Sequence, residues 1–231
     1  MNAQQLIEIN NDFYRQIAPF FSQTRQMAWR GWEELPLPLD GAAILDVAAG
    51  NSRFARYLQS KNIDIKNYLA IDNCQELFNL GGMDKDQFIE IDLLTNFLEG
   101  TDWLEKLPAK KFHYIICSAF FHHIPELVWR EKLLQDLAGL LAPQGILVIS
   151  FWQFMYDQDL AKRVIKDLGN HDYLLDWKSG MEAIRYCHHF SDEEIKHYLD
   201  LMATQDLTLI KDYCADGSNG RMNRYLVWQK N

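Results

Sequence analysis

Long apolar runs are missing from this chain. No stretch approaches the ~20 consecutive apolar residues that a bilayer-spanning helix needs, so no membrane segment is expected. Cysteine is scarce and scattered. Cys74, Cys117, Cys187 and Cys214 form no CxxC pair, which argues against a disulfide framework or a zinc knuckle and predicts a reduced, cytoplasmic setting. The opening MNAQQLIEINNDFYRQ lacks the basic-then-apolar layout of a secretion signal. Positive charge is also short: 23 Lys and Arg stand against 32 Asp and Glu, a net charge of −9. A nucleic-acid partner would therefore need a local basic patch or a helper protein. Repeats, low-complexity tracts and a clear linker are absent too.

What is present suffices for a core. The 231 residues are 48% hydrophobic and 13% aromatic, enough for one sizeable domain. Leu6, Ile9, Phe13, Ile17 and Phe20 recur at helical steps and predict one or two helices within 1–35. After Pro36, Pro38 and Gly41, short apolar runs at 42–48, 68–71, 88–91, 112–118 and 146–152 predict five strands. Helices are expected between them near 52–60, 96–106 and 126–141. Residues 153–190 show no clear period. Ser191, with Glu194 three residues later, reads as the N-cap of a helix over 191–204. Runs at 208–214 and 224–230, separated by the turn-rich DGSNG at 216–220, predict a hairpin. The expected fold is α/β: a mostly parallel seven-stranded sheet with helices on both faces and a C-terminal antiparallel hairpin. A single domain over 1–231 is expected, with a helical cap at 1–40, a cofactor-binding core at 41–152 and a substrate-side insertion plus terminal hairpin at 153–231.

In open parallel sheets, ligands sit beyond the carboxyl ends of the strands. The first strand here ends in Asp46 and the small-residue turn Ala48-Ala49-Gly50-Asn51-Ser52. The second ends in Asp72-Asn73, the third in Asp92-Leu93 and the fourth in Ser118. A carboxylate at Asp72 suits the two hydroxyls of a ribose. Asp92 suits the exocyclic amine of an adenine, with backbone N–H groups from Leu93. Asp46 and Ala48 suit an amino-acid ammonium.

On these residues the chain resembles class I S-adenosylmethionine-dependent methyltransferases with a Rossmann-like sheet. Their first motif, acidic-x-Gly-x-Gly-x-Gly, stands here as Asp46-Val47-Ala48-Ala49-Gly50-Asn51-Ser52. S-adenosylmethionine has no pyrophosphate, so small residues can serve where dinucleotide loops need glycine.

Three further segments resemble the tRNA methyltransferases that esterify the carboxymethyl group of wobble uridine. They are Tyr14 through Arg25 (YRQIAPFFSQTR) with Trp29, the pair His122-His123 after the fourth strand, and Trp177-Lys178 followed by Arg185-Tyr186-Cys187-His188-His189. The resemblance implies an S-adenosylmethionine cofactor, a carboxylate acceptor and, for some members, a small zinc-binding activator protein. A carboxylate is ionised at pH 7 and needs no general base, so the work is positioning. A guanidinium fork matches that group, which makes Arg25 and Arg185 the expected clamp and His122 an orienting residue. Tyr14, Trp29 and Trp177 are expected to wall the pocket or stack on a base.

Blander readings apply elsewhere. His123 is expected to pack or cap a turn, and Lys162-Arg163-Lys166 to form a solvated helix face. No metal site is expected, because adjacent histidines diverge and no ligand-spaced partner is visible. Two alternatives stay open: a methyltransferase acting on a small-molecule carboxylate or hydroxyl, and a non-catalytic methyltransferase fold serving as a binding subunit.

Overall fold

Buried residues Leu6, Ile7, Asn10, Phe13, Ile17, Ala18 and Ser22 lie along one face of helix α1 (Ala3–Thr24). They recur at helical steps through Pro19, which forfeits only one backbone bond. Asn2 begins the helix with a reciprocal capping box to Gln5. In the computed structural model, which describes residues 1–177 and 183–231, this helix lies across one end of a central sheet.

That sheet has seven strands. β1 (Ile44–Val47), β2 (Tyr68–Asp72), β3 (Phe88–Glu90), β4 (Phe112–Cys117) and β5 (Leu141–Trp152) are followed by β9 (Leu207–Ala215) and β10 (Asn223–Lys230). Their order is β3-β2-β1-β4-β5-β10-β9. β1 pairs in parallel with β2 and β4, setting Asp46 opposite Ala70 and Ile116. All four of its residues are buried, as a central strand covered on both faces requires. The terminal hairpin adds β10 antiparallel to β5, with Leu226 opposite Ile149. Chain order reverses between β1 and β4, which opens a crevice above their carboxyl ends.

Helices α2 (Arg53–Ser60), α4 (Leu93–Glu99), α5 (Leu127–Leu140) and α7 (Asp192–Ala203) pack on the sheet. The expected capping box at Ser191 and Glu194 is present. The helix expected over 96–106 is instead α4 and a separate 3-10 turn over Trp103–Lys106. Gly100, at φ 69°, ends α4 in the left-handed region. A five-residue helix α3 (Gln75–Asn79) was not anticipated.

The larger departure lies in 153–190. After a short α6 (Gln158–Ala161), three strands form their own antiparallel sheet: β6 (Val164–Gly169), β7 (Asp172–Asp176) and β8 (Ile184–His188). Asn170 and His171, both at positive φ, turn β6 into β7. These strands mix charged and apolar residues on both faces, so pairing rather than periodicity defines them. Lys166 consequently sits on a strand, and the basic cluster is not a helix face.

Side-chain bonds fix this small sheet in place. Tyr186 N–H donates to Asn10 Oδ1 of α1 at 2.8 Å. His188 lies between two carboxylates, Asp172 and Glu194, each 2.7 Å from a ring nitrogen. Burial pushes the Glu194 carboxyl up, but the hydrogen bond and charge of His188 outweigh it and bring the group down to about 2.

Candidate active site

The loop after β1 explains its own composition. Ala48, Gly50 and Ser52 sit at φ 56°, 54° and 52°, so all three positions where the motif carries glycine occupy the left-handed region. Only Gly50 takes that conformation without cost. Ala48 and Ser52 each hold it at ~1–2 kcal/mol. The loop is locked by Ala49 N–H donating to the Ile71 carbonyl at 3.1 Å and by Gly50 N–H donating to Asp72 Oδ2 at 2.8 Å. Cys74 N–H donates to the other Asp72 oxygen at 2.9 Å.

Above the loop lies a cleft of about 1000 Å³, open mouth included. Asp46, Ala48, Gly50, Asn51, Asp72, Asn73, Asp92, Leu93 and Ser118 line it, as do Tyr14 and Trp29. The sequence-expected cofactor residues therefore converge on one cavity, apart from Ser52. That side chain is fully buried off the wall, its hydroxyl without a partner among the described residues. The Asn51 amide turns toward α1 instead, donating to Ser22 Oγ at 3.1 Å and to the Arg25 carbonyl at 3.3 Å. Asp92 caps α4, accepting from Thr95 N–H and Oγ1 at 3.0 and 2.9 Å, which leaves lone pairs facing the cleft. Burial raises Asp72 to about 6, and burial raises Asp46 to about 7 despite the Tyr68 hydroxyl donating to it.

A row of carboxylates at the ends of β3, β2 and β1, beside a backbone cradle, fits S-adenosylmethionine. Adenine amine, ribose hydroxyls and amino-acid ammonium are all hydrogen-bond donors, and Asp92, Asp72 and Asp46 are acceptors.

Of the residues expected on the acceptor side, Tyr14 and Trp29 line this cleft, whereas Arg25, His122, Arg185 and Trp177 do not. Arg25, His122, Arg185 and Trp177 form a neighbouring nest, with the cleft residues Tyr14, Phe21 and His123 between the two. Both guanidiniums face the Trp177 indole, at 5.4 Å for Arg25 and 5.7 Å for Arg185. Arg185, only 3% exposed, also stacks on Trp152 at 4.8 Å, and among the described residues neither arginine has a carboxylate at ion-pair distance. Burial and the Arg185 charge bring Arg25 down to about 10, so it stays cationic at neutral pH. His122 lies flat on Trp152, with centroids 4.0 Å apart and planes 4° apart. Its Nδ1 has no partner among the described residues, and burial together with neighbouring cations pushes its pKa well down. Lys178, part of the expected segment, lies outside the described residues.

His123 is more engaged than the sequence implied. Tyr14 Oη sits 2.8 Å from its Nε2, while Asn10 Nδ2 and the Tyr186 carbonyl sit 3.1 and 3.0 Å from its Nδ1. It bolts α1, β8 and the turn after β4 together at the cavity wall. The fold also brings Cys187 to His122 and His123, with ligand atoms within 4.8 Å of one another, a partner the spacing had not revealed. That trio is a poor receptor for a cation. Both His123 nitrogens are bonded, burial lifts the Cys187 thiol to about 11, and the Arg185 charge acts on both rings.

Sequence reasoning missed several cavity residues: Asn10, Asn11, Phe21, Leu77 and Arg53. Arg53 carried a usable signal, since it directly follows the loop. The others come from helices whose orientation the sequence does not state.

Among solved structures, the chain is similar to the protein in a DhpI–SAM–HEP complex, with 15% identity, 98% of each chain covered and a TM-score of 0.64. It is likewise similar to a SAM-dependent methyltransferase from Methanosarcina mazei, with 17% identity, 84% of this chain and 94% of that one covered, and a TM-score of 0.59. A third is the methyltransferase complexed with the Haloferax volcanii Trm112 methyltransferase activator, with 12% identity, 94% and 96% covered, and a TM-score of 0.61. No curated protein matches the sequence. No helix among the described residues is long and apolar enough to cross a membrane. The methyltransferase-domain family model matches residues 20–209, and the chain belongs to that family.

Proposed function

We infer that this chain is an S-adenosylmethionine-dependent methyltransferase whose acceptor is a carboxylate, that of a carboxymethyl-modified wobble uridine in tRNA, in a reduced cytoplasmic setting. The cofactor reading rests on Asp46, Asp72 and Asp92 around the loop cradle. When bound, S-adenosylmethionine would supply an electrophilic methyl group, and an acceptor carboxylate, already ionised, would need no proton removed. The chain's own residues then have only to position the acceptor and exclude water.

The observation that carries the acceptor reading is the pair of guanidiniums on Trp177 with no carboxylate at ion-pair distance among the described residues. Two desolvated cations repel, and an anionic ligand between them relieves the repulsion. A small activator protein is part of the proposal, since the net charge of −9 gives the chain little general attraction for RNA. The similarity to an activator-bound methyltransferase agrees with it.

A second reading has a small-molecule hydroxyl as acceptor. It is favoured by His122, whose buried ring keeps an unengaged Nδ1 that can accept a hydrogen bond from an acceptor hydroxyl. Incubation of the protein with labelled cofactor and hypomodified tRNA, followed by digestion to nucleosides, tests the first reading. Label on wobble uridine is expected. Unlabelled wobble uridine, with and without an activator protein, sinks the tRNA acceptor and leaves the second reading.

A further inference from the structure

We propose that Arg53 is the receptor for the α-carboxylate of S-adenosylmethionine. The inference rests on the cofactor reading above and assigns a role to a residue left without one.

Arg53 is the first residue of α2 and faces the cleft. Its guanidinium lies over Trp29 at 4.5 Å and over Trp32 at 5.4 Å, and Nη1 donates to the Met27 carbonyl at 3.3 Å. These contacts hold its plane in place. No carboxylate stands at ion-pair distance from it among the described residues. The nearby Asp216 is committed elsewhere, accepting from Gly31 N–H at 3.2 Å, Asn223 Nδ2 at 2.9 Å and Tyr225 Oη at 2.7 Å. Burial and the charge of Arg25 bring Arg53 down to about 10, so a cation is held on the cleft wall with no anion beside it. Trp29, on the same wall, keeps a buried indole N–H without an acceptor.

The cofactor has one anionic group. Its ammonium and sulfonium are cationic and its ribose and adenine are neutral, so only the α-carboxylate matches Arg53. The opposite charge is also in place. Asp46 lines the same cleft, feels the field of Arg53 and makes no ion pair with it. An unjoined acid and base facing one cavity are complementary to an amino-acid zwitterion, with ammonium toward Asp46 and carboxylate toward Arg53. Arg25, the other cation of this region, does not reach the cleft and is left for the acceptor.

The test compares S-adenosylmethionine with decarboxylated S-adenosylmethionine, which lacks only that carboxylate, in equilibrium binding to the full chain. The unaltered protein is expected to prefer the carboxylated ligand by ~10- to 100-fold. Arg53→Gln should abolish the preference while leaving affinity for the decarboxylated ligand within ~3-fold, which also shows that the variant is folded. Arg53→Lys, keeping the charge without the fork, should retain part of it. A preference that survives in Arg53→Gln overturns the assignment, and so does an equal loss of both ligands. If the unaltered chain binds both ligands alike, only the carboxylate receptor fails; if it binds neither, the cofactor reading falls with it.

Discussion

The cofactor cleft and the arginine nest are neighbours built on opposite principles. The cleft gathers acceptors at the ends of adjacent parallel strands, Asp46, Asp72 and Asp92, with Arg53 on its wall. The nest is made of cations on aromatic faces, Arg25 and Arg185 over Trp177, drawn from α1 and the small antiparallel sheet. Between them stand Tyr14 and His123, joined by a 2.8 Å contact. The difference suggests a division of labour: one region binds the methyl donor and the other an anionic acceptor, so damage to either should be separable.

Arg185→Ala should break the comparison hardest. It is expected to lower kcat/KM by on the order of 100- to 1000-fold, with cofactor affinity unchanged within a few-fold. Arg25→Ala should behave alike, and steady-state kinetics paired with calorimetry reads both quantities. Loss of cofactor affinity in step with activity would merge the two regions into one site.

Asp72→Asn is the converse. It should weaken cofactor binding by roughly 10- to 100-fold through its ribose contact, measured by calorimetry with S-adenosylhomocysteine. A variant binding as tightly as the unaltered chain would remove Asp72 from that role.

A smaller effect is expected from pH. Asp72 and Asp46 have folded pKa values of about 6 and about 7, above the ~3.9 of an unfolded aspartate. Between pH ~4 and ~7 the native state holds more protons than the unfolded chain, so these two groups make the unliganded protein less stable as pH rises. Cofactor binding favours their ionised forms, so affinity should climb over the same window, by up to ~10-fold per pH unit for each acid still protonated in the unliganded chain. Denaturation and titration at pH 5, 6, 7 and 8 give both curves, and Asp46→Asn should flatten the upper part of each. An affinity independent of pH would mean that ionised acids do not hold the donor.

The smallest effect sharpens the loop. Ala48→Gly relieves a left-handed alanine and should stabilise the unliganded chain by ~0.5–1 kcal/mol, ~1–4 °C in Tm. Gly50→Ala should cost a similar amount. A thermal scan in which Ala48→Gly is neutral or destabilising would show that φ 56° is not a strain the loop carries.

The two regions were legible to different degrees. Strand ends in the cleft announce themselves, because each is an apolar run broken by an acid, and parallel pairing brings those ends to one edge. Ser52 stands apart from that row because its left-handed backbone turns the side chain into the core rather than onto the cleft wall. In the nest, the identities of Arg25, Arg185 and Trp177 came from resemblance, and nothing in the local pattern stated that one indole would serve both cations. The sheet carrying Arg185 was unreadable because β6, β7 and β8 mix polar and apolar residues, and their partners lie across a turn rather than along the strand.

By itself, then, the sequence determined the α/β order, the capping box at Ser191 and the row of strand-end carboxylates, all consequences of spacing along one segment. Tertiary structure alone decided that Arg53 faces the cleft while Arg25 does not, that His123 is a bolt and that Cys187 meets two histidines. Those facts depend on how separate segments pack, and packing is set by shapes and hydrogen-bond partners distant in the chain.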